Sequence, residues 1–160
     1  MTYIVNQYLE LQKEVFEYIN LYSFDAECLG IGTCAQESNL GTWNRQKNCH
    51  GILGAFGICQ IEIKTYHDVI NWLKKNAINI FTIIQSLIDD TQSELWNLQY
   101  NDKFNVAIMR VVYRSITVPL PDGNDINAMA MYWKNYYNRS GQGDISDFID
   151  HYKKLVEPYL

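Results

Sequence analysis

A single, mostly α-helical domain, with room for one short β-ribbon within residues 42–62, is the fold predicted for this 160-residue chain. Three observations predict it. Apolar residues recur at spacings of three and four through most of the sequence, the period of a helix with one buried face. Short polar residues that cap helices stand ahead of several of those stretches. Glycine gathers in one polar segment, at 41, 51, 54 and 57, where helical pattern is absent.

Residues 3–22 place Ile4, Tyr8, Leu11, Val15, Tyr18, Ile19 and Tyr22 on one helical face. Asp25 is read as the N-cap of a second, more buried helix that runs to Glu37. Residues 38–57 read as loop, with the polar centre Asn44-Arg45-Gln46-Lys47-Asn48. Thr65 followed by Asp68 resembles a capping box and opens a helix through Lys75. Residues 78–88 and 93–99 are further helical pieces, and Asp102 caps a segment in which Phe104, Ile108, Val111 and Val112 share a face. Pro119 and Pro121 interrupt the chain, and Asp122-Gly123-Asn124-Asp125 makes a turn. Two last helices, about 125–138 and 144–157, flank Gly141 and Gly143. No repeat, low-complexity tract or linker divides the chain, so residues 1–160 are read as one domain.

Composition narrows the function. Hydrophobic residues are 48% and charged ones 19%, which fits a chain with a packed core. A net charge of −5 without a Lys/Arg run argues against tracking a phosphate backbone, so no nucleic-acid partner is expected. The first residues lack a cationic segment followed by an apolar run. No signal peptide and no membrane insertion are therefore expected. Twelve tyrosines, six phenylalanines and four tryptophans are compatible with a sugar-stacking groove. Cys28, Cys34, Cys49 and Cys59 form no C-x-x-C pair. They are read as reduced, packed thiols, with a disulfide as the alternative in oxidising surroundings. Cys49, His50 and Cys59 match no standard zinc spacing, and neither a metal nor an organic cofactor is expected.

The residue richest in chemistry is Glu37. It closes the uncharged run Cys28 to Gln36 and opens onto Ser38-Asn39-Leu40-Gly41. A carboxylate at the end of a buried helix is relieved of its desolvation cost by a raised pKa or by a partner. A carboxyl that keeps its proton near neutral pH can protonate a leaving-group oxygen.

Two segments then make a signature: Glu37-Ser38-x-x-Gly41, and after a loop Gly54-Ala55-Phe56-Gly57-Ile58-Cys59-Gln60. Together they resemble the lysozyme-like lytic transglycosylases, whose hallmark is a helix-terminal E-S-x-x-G followed by G-A-x-G-L-M-Q. Ile58 and Cys59 replace the Leu and Met of that pattern. Gln60-Ile61-Glu62, Thr65-Tyr66-His67-Asp68, Tyr113-Arg114, Pro119-Leu120-Pro121 and Tyr132-Trp133-Lys134 with Tyr136-Tyr137-Asn138 look like a subgroup found mainly in tailed phages and prophages. The likeness runs from about residue 26 to the end. It departs from the family in the last motif, A-x-Y-N-x-G. Here Ala130-Met131-Tyr132 fits, Trp133 stands at the Asn position and Asn135 at the Gly position, and Tyr137-Asn138 is the competing counterpart.

The resemblance implies a lysozyme-like fold and cleavage of the β-1,4 bond between N-acetylmuramic acid and N-acetylglucosamine. Glu37 would act as acid and then as base, leaving a 1,6-anhydro end. It implies Ser38 and Gln60 as polar supports near the sugars, and a tyrosine hydroxyl, Tyr132 or Tyr137, opposite Glu37, with Asn138 beside it. Peptidoglycan glycan strands would be the partner, and other virion or tail proteins could be too, with the protein virion-associated or cytoplasmic before release. Two alternatives stand beside this reading. A water-using muramidase would employ Glu62 or Asp68 as second carboxylate, and a catalytically idle glycan-binding phage component would keep only the groove.

Overall fold

The computed structural model describes residues 4–160, so the beginning of the predicted helix at residue 3 and the first residues of the leader reading lie outside the described residues. The first helix, α1, spans Val5–Tyr18 and is shorter than its apolar pattern. Asn20, with φ +58°, breaks it, and Tyr18 and Tyr22 are left exposed. The face that remains is buried through Val5, Tyr8, Gln12, Val15 and Phe16.

Helix α2, Phe24–Ser38, is buried nearly all round, as a helix without a polar face must be. Helices α1, α6 (Asp102–Arg114), α7 (Ile126–Tyr136) and α8 (Ile145–Leu155) surround it. Its cap corrects the sequence reading, because the Ser23 hydroxyl accepts from the Ala26 amide. Asp25 instead accepts from the Gly123 amide at 2.8 Å, tying the start of α2 to the turn before α7. Side-chain volume also decides how closely helices approach. A Cβ on Gly32 would stand 2.5 Å from the Phe148 ring, so glycine lets α8 lie against α2.

The loop after α2 leads into a two-stranded antiparallel ribbon inside the expected range. β1 (Ala55–Phe56) pairs with β2 (Ile61–Glu62), Ala55 opposite Glu62 and Phe56 opposite Ile61. Helix α3, Ile63–Asn76, follows directly. Thr65 and Asp68 lie inside it and form no capping box; Asp68 pairs with Lys64 one turn away at 2.7 Å. Helix α4 is Ile78–Gln85 and α5 is Glu94–Tyr100, capped by Ser93. Asn101, not Asp102, caps α6, through its side chain and the Phe104 amide. Asp125 caps α7, and Asp144 with Asp147 forms a capping box on α8. The chain closes with a 3₁₀ turn, Glu157–Tyr159.

The architecture is mostly α with one short ribbon. Among the described residues, one apolar cluster draws on all eight helices, with α2 and α6 at its centre. Among the described residues, no helix is long and apolar enough to cross a membrane.

Candidate active site

Glu37 emerges where α2 stops. The stop is abrupt because Asn39, Leu40 and Gly41 all take positive φ, which turns the chain away from the helix axis. Ser38 holds that turn. Its hydroxyl accepts from the Gly41 amide at 2.8 Å and donates to the Ile58 carbonyl at 2.6 Å. Ser38 is fully buried, so the expectation of a substrate support is corrected. It stitches the Glu37 turn to the second motif, since a serine hydroxyl readily bonds nearby backbone.

The second motif is a tight reversal between β1 and β2. Gly57 has φ +75°, and a Cβ there would stand 2.4 Å from the Leu98 carbonyl oxygen. Only glycine fits this close approach. Gln60 also takes the left-handed region, with φ +49°, and its amide donates back to the Gly57 carbonyl. From α6, Asn105 fixes the reversal. Its side chain accepts from the Cys59 amide at 2.9 Å and donates to the Phe56 and Leu98 carbonyls at 3.0 and 2.8 Å. The sequence reading missed Asn105, although an amide inside the otherwise apolar run of α6 is the signal that could have marked it.

Together these turns open a cleft of about 930 Å³. Glu37, Gln60, Glu62, Asp68, Tyr137 and Asn138 line it. That volume lies at the large end of ordinary ligand pockets. The rim from Tyr136 to Gln142 is organised by Lys134, whose ammonium donates to the Gly141 and Gly143 carbonyls and to Asn138 Oδ1.

Of the two tyrosines expected opposite Glu37, Tyr132 is set aside, while Tyr137 shares the cleft with the carboxyl. Tyr132 donates to the Val118 carbonyl at 2.8 Å and does not line the cleft. Tyr137 lines it, but its hydroxyl donates to the Cys59 carbonyl at 2.7 Å while its ring stacks on Tyr113. What meets the carboxyl is Trp133, whose indole Nε1 donates to Glu37 Oε1 at 2.9 Å. This is one of the two residues at which the sequence departs from A-x-Y-N-x-G. Its ring is fully buried between Phe148 and the backbone at Gly143, where a Cβ would stand 2.7 Å away. The two arginines of α6 do not line the cleft. Arg110 is buried, bonded to the Leu21 carbonyl, and Arg114 lies over the Trp72 ring.

Electrostatics at Glu37 is a contest with a clear winner. Burial favours the neutral acid, while hydrogen bonds from Trp133 and from the Asn138 side chain favour the carboxylate. Burial prevails and pushes the carboxyl up to about 7. An indole N–H can only donate, so Glu37 Oε1 accepts from Trp133 whether or not the carboxyl is protonated. Trp133→Phe removes a donor to the charged form, so the Glu37 pKa should rise further. The alkaline limb of the kcat/KM profile should move up with it; an unmoved or acid-shifted limb would contradict the indole's role.

The four cysteines are free thiols, three of them buried and Cys49 half-buried. Among the described residues, no three His, Cys, Asp or Glu side chains gather as metal ligands, and Cys49, His50 and Cys59 are not brought together. Comparison with protein-family models, with curated proteins and with solved structures finds no match.

Proposed function

We propose that the protein is a peptidoglycan lytic transglycosylase, with Glu37 as acid and then base. The observation that carries this reading is one carboxyl at a helix end, facing a cleft, with its pKa brought to about 7 by burial. At that value both protonation states are well populated near neutral pH, as a group that gives and then retakes a proton requires.

In this mechanism a glycan strand lies along the cleft with the bond between N-acetylmuramic acid and N-acetylglucosamine beside Glu37. The Glu37 carboxyl donates its proton to the glycosidic oxygen as the C1–O bond breaks. The 2-acetamido group of the muramic residue supports the developing positive charge at C1. Glu37, now a carboxylate steadied by Trp133 and Asn138, takes the proton from the C6 hydroxyl, whose oxygen bonds to C1. Atoms and charge balance without water or cofactor, and the product ends in a 1,6-anhydro ring. Delivery as a virion component or a phage lysis enzyme belongs to the same proposal.

A hydrolytic variant has one observation in its favour: Glu62 shares the cleft with Glu37 and could hold a water. Asp68 is the weaker candidate, being paired with Lys64. Mass spectrometry of digested peptidoglycan decides between them, because anhydro ends support the transglycosylase, reducing ends the muramidase, and intact strands sink both.

Gln60 has its own test. Gln60→Gly removes the amide and suits the left-handed backbone, so stability should change by less than about 1 kcal/mol. Turnover should fall at least about tenfold, roughly 1.4 kcal/mol of barrier, if the amide steadies bound sugar. Unchanged turnover in the folded variant would make Gln60 a turn residue only.

A further inference from the structure

We propose that Cys34 and Cys59 are a modification site, a dithiol that closes to a disulfide when the protein meets a small-molecule disulfide outside a reducing compartment. This does not depend on the wall-cleaving reading. The two Sγ atoms stand 3.0 Å apart in the fully buried core. A formed disulfide has its sulfurs about 2.05 Å apart, so closure needs movement of only about 1 Å.

The surroundings hold the pair in place. The Tyr8 hydroxyl donates to Cys34 Sγ at 2.6 Å and lies 4.0 Å from Cys59 Sγ. The Cys59 amide is bonded to Asn105 and its carbonyl to Tyr137. Folding therefore supplies the juxtaposition that cross-linking requires. Cys28 lies elsewhere, against Gly123, with its thiol pushed up to about 11 by burial, and Cys49 sits by Gly54 in the loop.

The chemistry is thiol–disulfide exchange. One protein thiolate attacks the small disulfide and expels one thiolate, leaving a mixed disulfide. The second protein thiolate attacks that bond, closes Cys34–Cys59 and expels the other thiolate. Two electrons pass to the small disulfide, which leaves as two thiols. Burial holds the Cys59 thiol well above its ordinary value, so the native state reacts slowly and closure proceeds through local opening or during folding. The bond would join α2, one turn before Glu37, to the reversal that carries Gln60. It would restrict the unfolded chain and stabilise the elements framing the cleft.

The test uses the reduced wild-type protein and glutathione disulfide, with quenching, alkylation in denaturant, intact mass and a peptide map. The expected result is loss of two of the four alkylation sites, with the Cys34 and Cys59 peptides linked and the oxidised form melting several degrees higher. Sub-denaturing urea should speed closure. Four alkylated cysteines after prolonged exposure, a link through Cys28 or Cys49, or a lasting glutathione adduct without ring closure would overturn the proposal. Cys34→Ala should abolish both the link and the thermal gain; should that variant fail to fold, the wild-type masses alone decide.

Discussion

Glu37→Gln is expected to reduce wall cleavage by about a thousandfold or more, roughly 4 kcal/mol of barrier, while making the folded protein more stable above pH 7. Glutamine keeps the shape and can still accept from the Trp133 indole, but it has no proton to give. The stability gain follows from the direction of the pKa shift. Folding raises this carboxyl from 4.5 to about 7. The native state therefore holds a proton that the unfolded chain releases between those values. Its contribution to stability is whole below about pH 4.5 and is lost as the pH rises through 7, a burden of up to about 3 kcal/mol. The variant escapes that burden, so the difference in unfolding free energy should be near zero at pH 4 and largest at pH 8. A turbidity assay with denaturant melts at both pH values checks it. Activity within tenfold of wild type would sink the catalytic assignment, and a stability difference independent of pH would sink the raised pKa.

Asn105→Ala should cause the largest loss of stability, roughly 3–5 kcal/mol. The side chain is fully buried, and truncation leaves the Cys59 amide and the Phe56 and Leu98 carbonyls without their partner. For a chain of this size that corresponds to a fall in Tm of about 10 °C or more. Because Asn105 pins the reversal between β1 and β2, the folded fraction should also turn over more slowly. A loss below about 1 kcal/mol would mean that water or a backbone shift replaces the amide easily.

The same contrast between local and distant contacts explains how much the sequence told. Helix positions were legible because periodicity and caps act within a few residues. The cap errors were of one to three positions, as at Asn101 against Asp102, Ser23 against Asp25 and Glu62 against Thr65. At a helix start several polar side chains compete for the same free amides, and only backbone geometry chooses among them.

By itself, the sequence determined the mostly helical class, the place of the ribbon, and Glu37 as the end of an apolar helix. It also pointed to Gln60, Glu62, Asp68, Tyr137 and Asn138, which the fold gathers around one cleft. Only the tertiary structure decided that Ser38 is a buried stitch, that Tyr132 faces Val118, and that Trp133 meets Glu37. Trp133 and Glu37 are 96 residues apart, and Asn105 and Cys59 are 46 apart. Contacts at such separations depend on how α6 and α7 pack against α2 and the ribbon, and no spacing along the chain encodes that packing in a form that can be read locally.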